Sequence, residues 1–389
     1  MNSGKTIFAQ LMDIVPKYEF RKIVQRHKGN HRVRKLSCWD QFISMCFAQL
    51  TFRSSLRDVT TTLNALDGKR YRMGFRSKVP LSTLSDANAT RPWQMYQDLA
   101  MVLIDQARNL YGKEQAALEK TKQVFALDST TIDLCLSLFP WAHFHHNKGA
   151  IKMHTLMDLQ GSIPVFIHIT HGRVHDMNVM DQIPIQPGAI YIMNRGYIDF
   201  ARLHKIHSQG GQFVIRARKN LRYYRRSSSP VDTSTGLQCD QRIRLTLPKT
   251  KADYPDVLRR VHLIDKENDQ DIVILTNIIT STAEQIADYY KQRWQIELFF
   301  KWIKHNLHIK AFYGQSINAV KTQIWTAVCT YVILIIVQKT YDFNVNLRTM
   351  MQVLSVSLLE RMTFKELFSN TELTEITESN ANQLGLFDF

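Results

Sequence analysis

Apolar and polar positions follow two different periods along this chain, and the change of period marks its main division. From Met1 to about Gly112 the apolar residues recur at helical spacing. From Val124 to Asn220, short apolar runs predict strands at VFALDSTTIDL, KMHTLMDL, SIPVFIHIT, GAIYIMN and QFVIRARKN. Helices are predicted at THGRVHDMNVMDQI and RGYIDFARLHKIHSQGG. Three successive strands followed by alternating helix and strand predict an α/β sheet with helices on both faces.

The predicted order of elements is that of an RNase H-like fold, with two further regions. Between Arg218 and about Ile279, the short strands RIRLTLPK, VLRRVHLID and DIVILTNI surround the turn-rich loop SSSPVDTSTG. We interpret them as a β-rich insertion that interrupts the core; the alternative is that they continue the core sheet. Beyond Lys304 the pattern is helical again, and from about Asn370 it becomes polar.

These patterns predict six units along the chain. They are a helical N-terminal domain (1–115), the first part of the core (116–217), the β-rich insertion (218–279), a core segment with a late helix (280–312), a C-terminal helical region (313–369) and a flexible tail (370–389).

The net positive charge of the chain indicates the kind of partner that it binds. The chain has 50 Lys and Arg against 34 Asp and Glu, a formal charge of +16, which favours a polyanion such as nucleic acid or an anionic membrane surface. A membrane is not expected, because the longest apolar run, from Ile324 to Val337, is too short to span a bilayer and is typical of a buried helix. The N-terminus also has no signal-peptide pattern.

Cysteine and histidine usage indicates a reduced compartment without a zinc module. The five cysteines are scattered, with neither a CxxC pair nor zinc-finger spacing, so we expect a cytoplasmic protein. His143, His145 and His146 crowd together after Trp141, and we interpret them as polar loop residues, with a metal site as the alternative.

The N-terminal region combines short helices with a basic turn. SLRDVTTTLNAL, the basic segment RYRMGFRSKVP and LSTLSDANATRPW, with Ser82 as a cap, precede a long helix predicted from Trp93 to Tyr111. This order fits a helix-turn-helix unit whose second helix enters a DNA groove, and a plain helical bundle fits it equally well. The residues expected to contact DNA are Arg70, Arg72, Arg76, Thr83, Ser85 and Asn88.

The segment YKQRWQIELFFKWIK carries the candidate chemistry. At about 100° per residue on a helix, Tyr290, Arg293, Glu297 and Lys304 fall within roughly 60° of one another. One carboxylate between two cations and a phenol suits a site that binds phosphate and a metal ion. The alternative is a solvated helix face with favourable Glu–Lys spacing.

The spacing Tyr-x2-Arg-x3-Glu-x6-Lys is the YREK motif, and the segment resembles the transposases of the insertion sequence 4 family. The blocks LSTLSDAN, ALDSTTIDL, THGRVHDMN, NRGYIDFAR and NAVKTQIW also resemble that family, in the same order, from about Thr51 to Glu360. The resemblance implies an RNase H-like DDE transposase that cuts transposon-end DNA and joins the 3′-hydroxyl to target DNA. It also implies two Mg²⁺ ions per site, with Mn²⁺ as a substitute, and a homodimer in the synaptic complex.

By the same resemblance, Asp128, residue 194 and Glu297 hold the metal ions, whereas Tyr290, Arg293 and Lys304 bind DNA phosphates. One position departs from the family, because its DRGY block reads Asn194-Arg195-Gly196-Tyr197 here. Asn offers a carbonyl oxygen but no charge, so weakened metal binding and slow turnover are expected.

Two alternatives to an active transposase remain open. A catalytically silent DNA-binding protein or repressor is favoured by Asn194, and a general RNase H-like nuclease would explain the sheet but not the Tyr, Arg and Lys around Glu297. The C-terminal residues Gln383, Leu384, Leu386 and Phe387 resemble the motif that docks bacterial proteins on the DNA polymerase sliding clamp. The alternative is that these apolar residues fold back onto the protein. We expect a cytoplasmic, nucleoid-associated protein.

Overall fold

The computed structural model describes residues 4–115, 122–145, 148–265, 270–306 and 312–369. The helices in these ranges are α1 (Ile7–Asp13), α2 (Lys17–Arg26), α3 (Cys38–Leu50), α4 (Leu56–Ala65), α5 (Asp67–Arg72), α6 (Leu81–Thr90), α7 (Gln94–Gln115), α8 (Phe200–Ser208), α9 (Pro248–Asp253), α10 (Ala283–Gln292), α11 (Trp294–Asn306), α12 (Ile317–Tyr341), α13 (Leu347–Ser357) and α14 (Phe364–Ser369). The strands are β1 (Val124–Leu134), β2 (His143–His145), β3 (Lys148–Asp158), β4 (Ile163–His171), β5 (Ile190–Met193), β6 (Gln212–Arg216), β7 (Tyr223–Ser229), β8 (Leu237–Leu245), β9 (Leu258–Asp265) and β10 (Gln270–Thr276).

All of these strands belong to one sheet in the order β2-β3-β1-β5-β6-β10-β9-β8-β7, with β4 paired to β3. Strands β1, β3 and β4 are antiparallel neighbours, whereas β5 and β6 run parallel to β1. The mixed α/β class is confirmed, and this strand order fits an RNase H-like core. Part of the helix prediction was wrong, because THGRVHDMNVMDQI forms a short 3-10 helix over Asp176–Gln182.

The β-rich segment extends the core sheet. Strand β10 pairs with β6, and β9, β8 and β7 follow in turn, each antiparallel to its neighbour. A buried ion pair anchors this extension to the segment before α10: the Arg259 guanidinium donates to both Asp240 carboxylate oxygens at 2.8 Å and to the Ser281 carbonyl at 2.5 Å. The strands therefore follow the alternative considered above, in which residues 218–279 continue the sheet.

Helix α12 is the centre of a bundle that contains both the N-terminal and the C-terminal helices. Every residue from Thr322 to Val337 is buried, so the helix has partners around its whole circumference. Helices α1, α3, α6, α7 and α13 supply those partners. The N–H groups of Ile7 and Phe8 donate at 3.0 Å to the carbonyls of Glu360 and Leu358, which ties the two ends of the described chain together. The predicted units 1–115 and 313–369 thus share one core.

The prediction of a buried helix over the longest apolar run is confirmed, but the expectation that its length excludes a membrane span was wrong, because the helix extends beyond the run at both ends. Helix α12 is long and apolar enough to cross a membrane, but 94% of its most hydrophobic window is buried inside the protein. Apolar residues of α3, α7 and α13 cover it, as expected for the core helix of a globular fold.

Several predicted helix boundaries were wrong. Helix α6 begins at Leu81 after Pro80, so Ser82 is not its cap, and α7 continues past Gly112. The helix predicted over Tyr290–Lys304 is two helices, α10 and α11, because Arg293 ends the first. A tight turn joins them, in which the Ile296 N–H donates to the Arg293 carbonyl at 3.2 Å.

Candidate active site

The register of the parallel strands brings Asp128 and Asn194 together. The pairing of β1 with β5 ends at Leu127 and Met193, so Asp128 and Asn194 occupy the next position on each chain. This is the carboxyl end of the parallel strands, where α/β sheets place their functional groups. The Asn194 side-chain amide donates to Asp128 Oδ1 at 2.8 Å.

Helix α11 brings Glu297 to the same place. Its apolar side chains Ile296, Phe299 and Ile303 are at most 3% exposed, and they fix the face that packs on the core. The helix contacts β1, which turns the polar face with Glu297 toward Asp128. The polar and apolar faces expected from the sequence are therefore present along α11.

Arg293 lies between the two carboxylates. One terminal nitrogen of its guanidinium donates to Asp128 Oδ2 at 2.9 Å, and the other donates to Glu297 Oε1 at 2.5 Å. The three side chains are only 18%, 11% and 26% exposed for Arg293, Asp128 and Glu297, respectively, so little water screens the contacts. Asp128 and Glu297 thus converge on one positive charge.

Burial and nearby charges act in opposite directions on the pKa of Asp128. Burial raises the pKa of its carboxyl to about 6, and the neighbouring charges of Glu297 and Asp176 act in the same direction. The Arg293 charge and the Ser129 N–H, which donates to Asp128 Oδ1 at 2.8 Å, counteract part of that rise. Asp128 is therefore mostly ionised at neutral pH, and its charge depends on cations near it.

The orientation of Asn194 leaves its carbonyl oxygen engaged. The Gly196 N–H donates to Asn194 Oδ1 at 2.7 Å, while Nδ2 faces Asp128. Because an N–H donor and a carboxylate acceptor flank the amide, the hydrogen-bond network assigns its oxygen and nitrogen. The carbonyl oxygen that Asn194 was expected to offer to a metal ion therefore already accepts one hydrogen bond, and one of its two lone pairs is left for an ion.

Tyr290 and Lys304 lie on either side of this centre. Tyr290 is 8% exposed, and the Arg293 guanidinium carbon is 5.8 Å from its ring centroid. Lys304 donates to the Thr131 carbonyl of β1 at 2.8 Å. The four YREK residues therefore lie on or between two helices, and Arg293 and Lys304 both contact the middle of β1.

Asp176, in the block THGRVHDMN, lies beside the site, although the sequence offered no reason to assign it there. Its Oδ1 accepts from Ser129 Oγ at 2.9 Å and from Lys152 Nζ at 3.2 Å, and His154 Nδ1 lies 3.6 Å away. Ser129 therefore joins Asp176 to Asp128, with its hydroxyl on one carboxylate and its N–H on the other. The burial of His154 lowers the pKa of its imidazole to about 4, so it is neutral beside Asp176.

Mg²⁺ prefers oxygen ligands, and the site offers the carboxylates of Asp128 and Glu297. Within the described ranges, no group of three His, Cys, Asp or Glu side chains is placed to hold a metal ion. Arg293 contacts two carboxylates, those of Asp128 and Glu297. The third position of the site, Asn194, carries no charge. Two carboxylates around one cation fit a divalent ion with several retained waters.

The N-terminal residues that were expected to contact DNA differ in their exposure to solvent. Asn88 is 2% exposed and accepts from Gln41 at 2.8 Å, and the Arg70 side chain is 12% exposed. Neither is available to a DNA groove, so the expectation for these two residues was wrong. Arg72, Arg76 and Ser85 are exposed, and Thr83 is half-buried. Gln383, Leu384, Leu386 and Phe387 lie outside the described residues.

Comparison with known proteins places this α/β chain, with acidic residues at the end of its parallel strands, among transposases. The model of the transposase DDE domain matches residues 119–333, and a domain of unknown function, DUF4372, matches residues 3–76. The chain belongs to the transposase DDE domain family, and the resemblance to insertion sequence 4 transposases is confirmed.

Three curated relatives are also named as transposases. The chain is similar to y4zB of Sinorhizobium fredii (33% identity, 64% of this chain and 69% of that one), to the IS5377 protein of Geobacillus stearothermophilus (29%, 65% and 66%) and to the IS4SA protein of Synechocystis (25%, 68% and 73%). The matches thus span about two thirds of these relatives. A solved piggyBac transposase synaptic complex with hairpin DNA shares 12% identity at a TM-score of 0.45, with 93% of this chain and 82% of that chain covered. That likeness is too loose to assign a fold or a function.

Proposed function

We propose that this chain is a cut-and-paste DNA transposase that binds transposon-end inverted repeats, cleaves a phosphodiester and joins the 3′-hydroxyl to target DNA. The observation that carries the proposal is the meeting of Asp128, Asn194 and Glu297 at the carboxyl end of the parallel strands, with Arg293 among them. Family membership supports the same reaction class.

Asp128 and Glu297 would hold Mg²⁺, with Mn²⁺ as a substitute and with two ions in the complete site. Such ions activate water and stabilise the attacking and leaving oxygens of phosphoryl transfer. Asn194 holds Asp128 in place by a hydrogen bond but brings no charge, so we propose that this chain turns over slowly.

The remaining site residues bind and orient the DNA. In this proposal Arg293 and Lys304 neutralise phosphates next to the scissile bond, and Tyr290 hydrogen-bonds one of them. Both cations now contact protein oxygens, so a phosphate would take over existing hydrogen bonds. We propose that two copies of the chain act together in a synaptic complex.

A second function is favoured by one contact, the hydrogen bond from Asn194 to Asp128. It stabilises the acidic centre without a metal ion, as a catalytically silent end-binding protein or repressor would require. Cleavage of terminal inverted-repeat DNA in Mg²⁺ or Mn²⁺ by this chain and by Asn194→Asp separates the two functions. Binding by both forms with cleavage by neither would establish the silent protein.

We also propose that the C-terminal segment docks on the bacterial DNA polymerase sliding clamp. Burial of Leu384, Leu386 and Phe387 at about 1.5–3 kcal/mol each, less the cost of ordering the segment, predicts roughly micromolar affinity. A peptide of about the last ten residues is expected to bind the clamp by fluorescence anisotropy, and Leu386→Ala with Phe387→Ala should abolish that binding. No binding by the wild-type peptide at about 100 micromolar would exclude the docking role.

A further inference from the structure

A cationic cleft lies on the surface of the region that matches the domain of unknown function. Its cavity of about 890 Å³ is bordered by α1, α2, the start of α3 and the end of α5 with the turn after it. Seven basic side chains line it: Lys5, Lys17, Arg21, Arg34, Lys35, Arg72 and Arg76. We call this surface the cationic cleft.

Local acids neutralise only two of these cations. Asp13 accepts from Lys5 at 2.7 Å and from Lys17 at 2.8 Å. The other acid of the lining, Asp40, accepts from the N–H and the hydroxyl of Ser37 as part of the cap of α3. In the ranges that the structure describes, the five remaining cations are exposed and have no carboxylate within 4.0 Å. They are Arg21, Arg34, Lys35, Arg72 and Arg76.

Two aromatic residues accompany the charges. Tyr71 is 77% exposed at the edge of the cationic cleft, and Trp39 lines it beneath the Lys17 ammonium, which is 5.7 Å from the ring centroid. Tyr71 is exposed and Trp39 is half-buried, and aromatic rings beside cations are typical of surfaces that follow a nucleic acid strand.

We propose that the cationic cleft binds the phosphodiester backbone of a nucleic acid, on the basis of the proposed transposase function. Helix α6, the expected reading helix, carries neither Lys nor Arg, exposes Asp86 and buries Asn88, so it is poorly suited to this task. A concave surface whose cations come from several separate segments fits a backbone strand between its walls. A flat anionic membrane would reach only the rim.

The test measures binding by the full chain, because the N-terminal helices share their core with α12. Labelled 30-base-pair duplex and single strand of the same length are titrated with the protein between about 50 and 300 mM NaCl. The variant Arg21→Ala/Arg34→Ala/Arg72→Ala should lower the slope of log K against log salt by about 2–3. Its affinity at low salt should fall on the order of 10-fold or more. Arg57→Ala/Lys78→Ala/Arg348→Ala, which removes three exposed cations outside the lining, is the matched control.

The experiment distinguishes three ligands that carry phosphate: double-stranded DNA, single-stranded DNA and anionic lipid. A loss confined to the duplex assigns the cleft to double-stranded DNA, and a loss confined to the single strand assigns it to an unpaired end. Equal salt slopes for the triple variant and the wild type would overturn the proposal that the cationic cleft binds nucleic acid, and would leave the proposed transposase function intact. Absence of nucleic acid binding by the wild type overturns both. Vesicles rich in anionic lipid that bind the wild type through these three cations, while DNA binding stays unchanged, would identify a membrane surface instead.

Discussion

Replacement of Asn194 by Asp is expected to raise the rate of DNA-end cleavage on the order of 100-fold, since loss of even an outer partner of a metal site costs about 10–100-fold. The physical reason is the contact of 2.8 Å between Asn194 Nδ2 and Asp128 Oδ1. A carboxylate at position 194 would place two anionic oxygens there, and a divalent cation would bring them together. The measurement is single-turnover cleavage of labelled end DNA in Mg²⁺ and in Mn²⁺.

A second readout of the same variant is independent of activity. Without divalent ions, Asn194→Asp loses a hydrogen bond and gains a repulsive pair, so its free energy of unfolding should fall by about 1–3 kcal/mol in EDTA. Added Mg²⁺ should restore that loss by binding the folded state. Asn194→Ala is the control, because it removes the hydrogen bond but adds no charge, so Mg²⁺ should stabilise it less than it stabilises Asn194→Asp. Equal cleavage by wild type and Asn194→Asp would contradict the assignment of this position.

Replacement of Arg293 by Ala is expected to lower the free energy of unfolding by about 3 kcal/mol in EDTA, the usual cost of removing one partner of a buried ion pair. Asp128 and Glu297 would then face each other without a counter-ion, and burial already raises the pKa of Asp128 to about 6. Chemical denaturation at neutral pH measures the loss. Mg²⁺ at millimolar concentration should recover part of it, because the ion takes the place of the guanidinium between the carboxylates.

Two controls make the Arg293 result specific. Arg202→Ala removes another arginine that contacts two carboxylates, those of Asp181 and Asp199, but Asp181 is 48% exposed and the loss should stay below about 1 kcal/mol. Arg293→Lys keeps the charge without the planar fork, so its stability should lie between wild type and Arg293→Ala. A loss for Arg293→Ala no larger than that for Arg202→Ala, with no response to Mg²⁺, would refute its role as counter-ion.

The core strands could be predicted because their patterns are local. Strands β1, β3, β4, β5 and β6 each contain a run of apolar residues, and this signal needs no knowledge of the fold. Strand β7 gave no such signal, because six of its seven residues are exposed. The split between α10 and α11 was also hidden, since one backbone turn at Arg293 leaves the helical spacing of side chains almost unchanged.

The candidate site was predicted in its residues more than in its contacts. The resemblance to family blocks predicted Asp128, Asn194 and Glu297 as site residues. The position of Arg293 between the two carboxylates depends instead on the packing of α11 against β1. Asp176 was not assigned to the site, because in the sequence it belongs to a separate block and only the structure shows its hydrogen bond to Ser129. The burial of Asn88 likewise depends on Gln41, a residue far away in the sequence.

The shared core around α12 limits how this chain can become a regulator. A protein with a separable DNA-binding domain can yield a repressor when a stop codon or protease removes its catalytic half. Here the same cut would expose the apolar faces of α3 and α7 that rest on α12, and the shortened product would be aggregation-prone. An inactive form that still folds must therefore be full length and must lose activity through a point substitution. Asn194, which we propose slows turnover, would be a change of that kind, because its hydrogen bonds to Asp128 and Gly196 are local to the site.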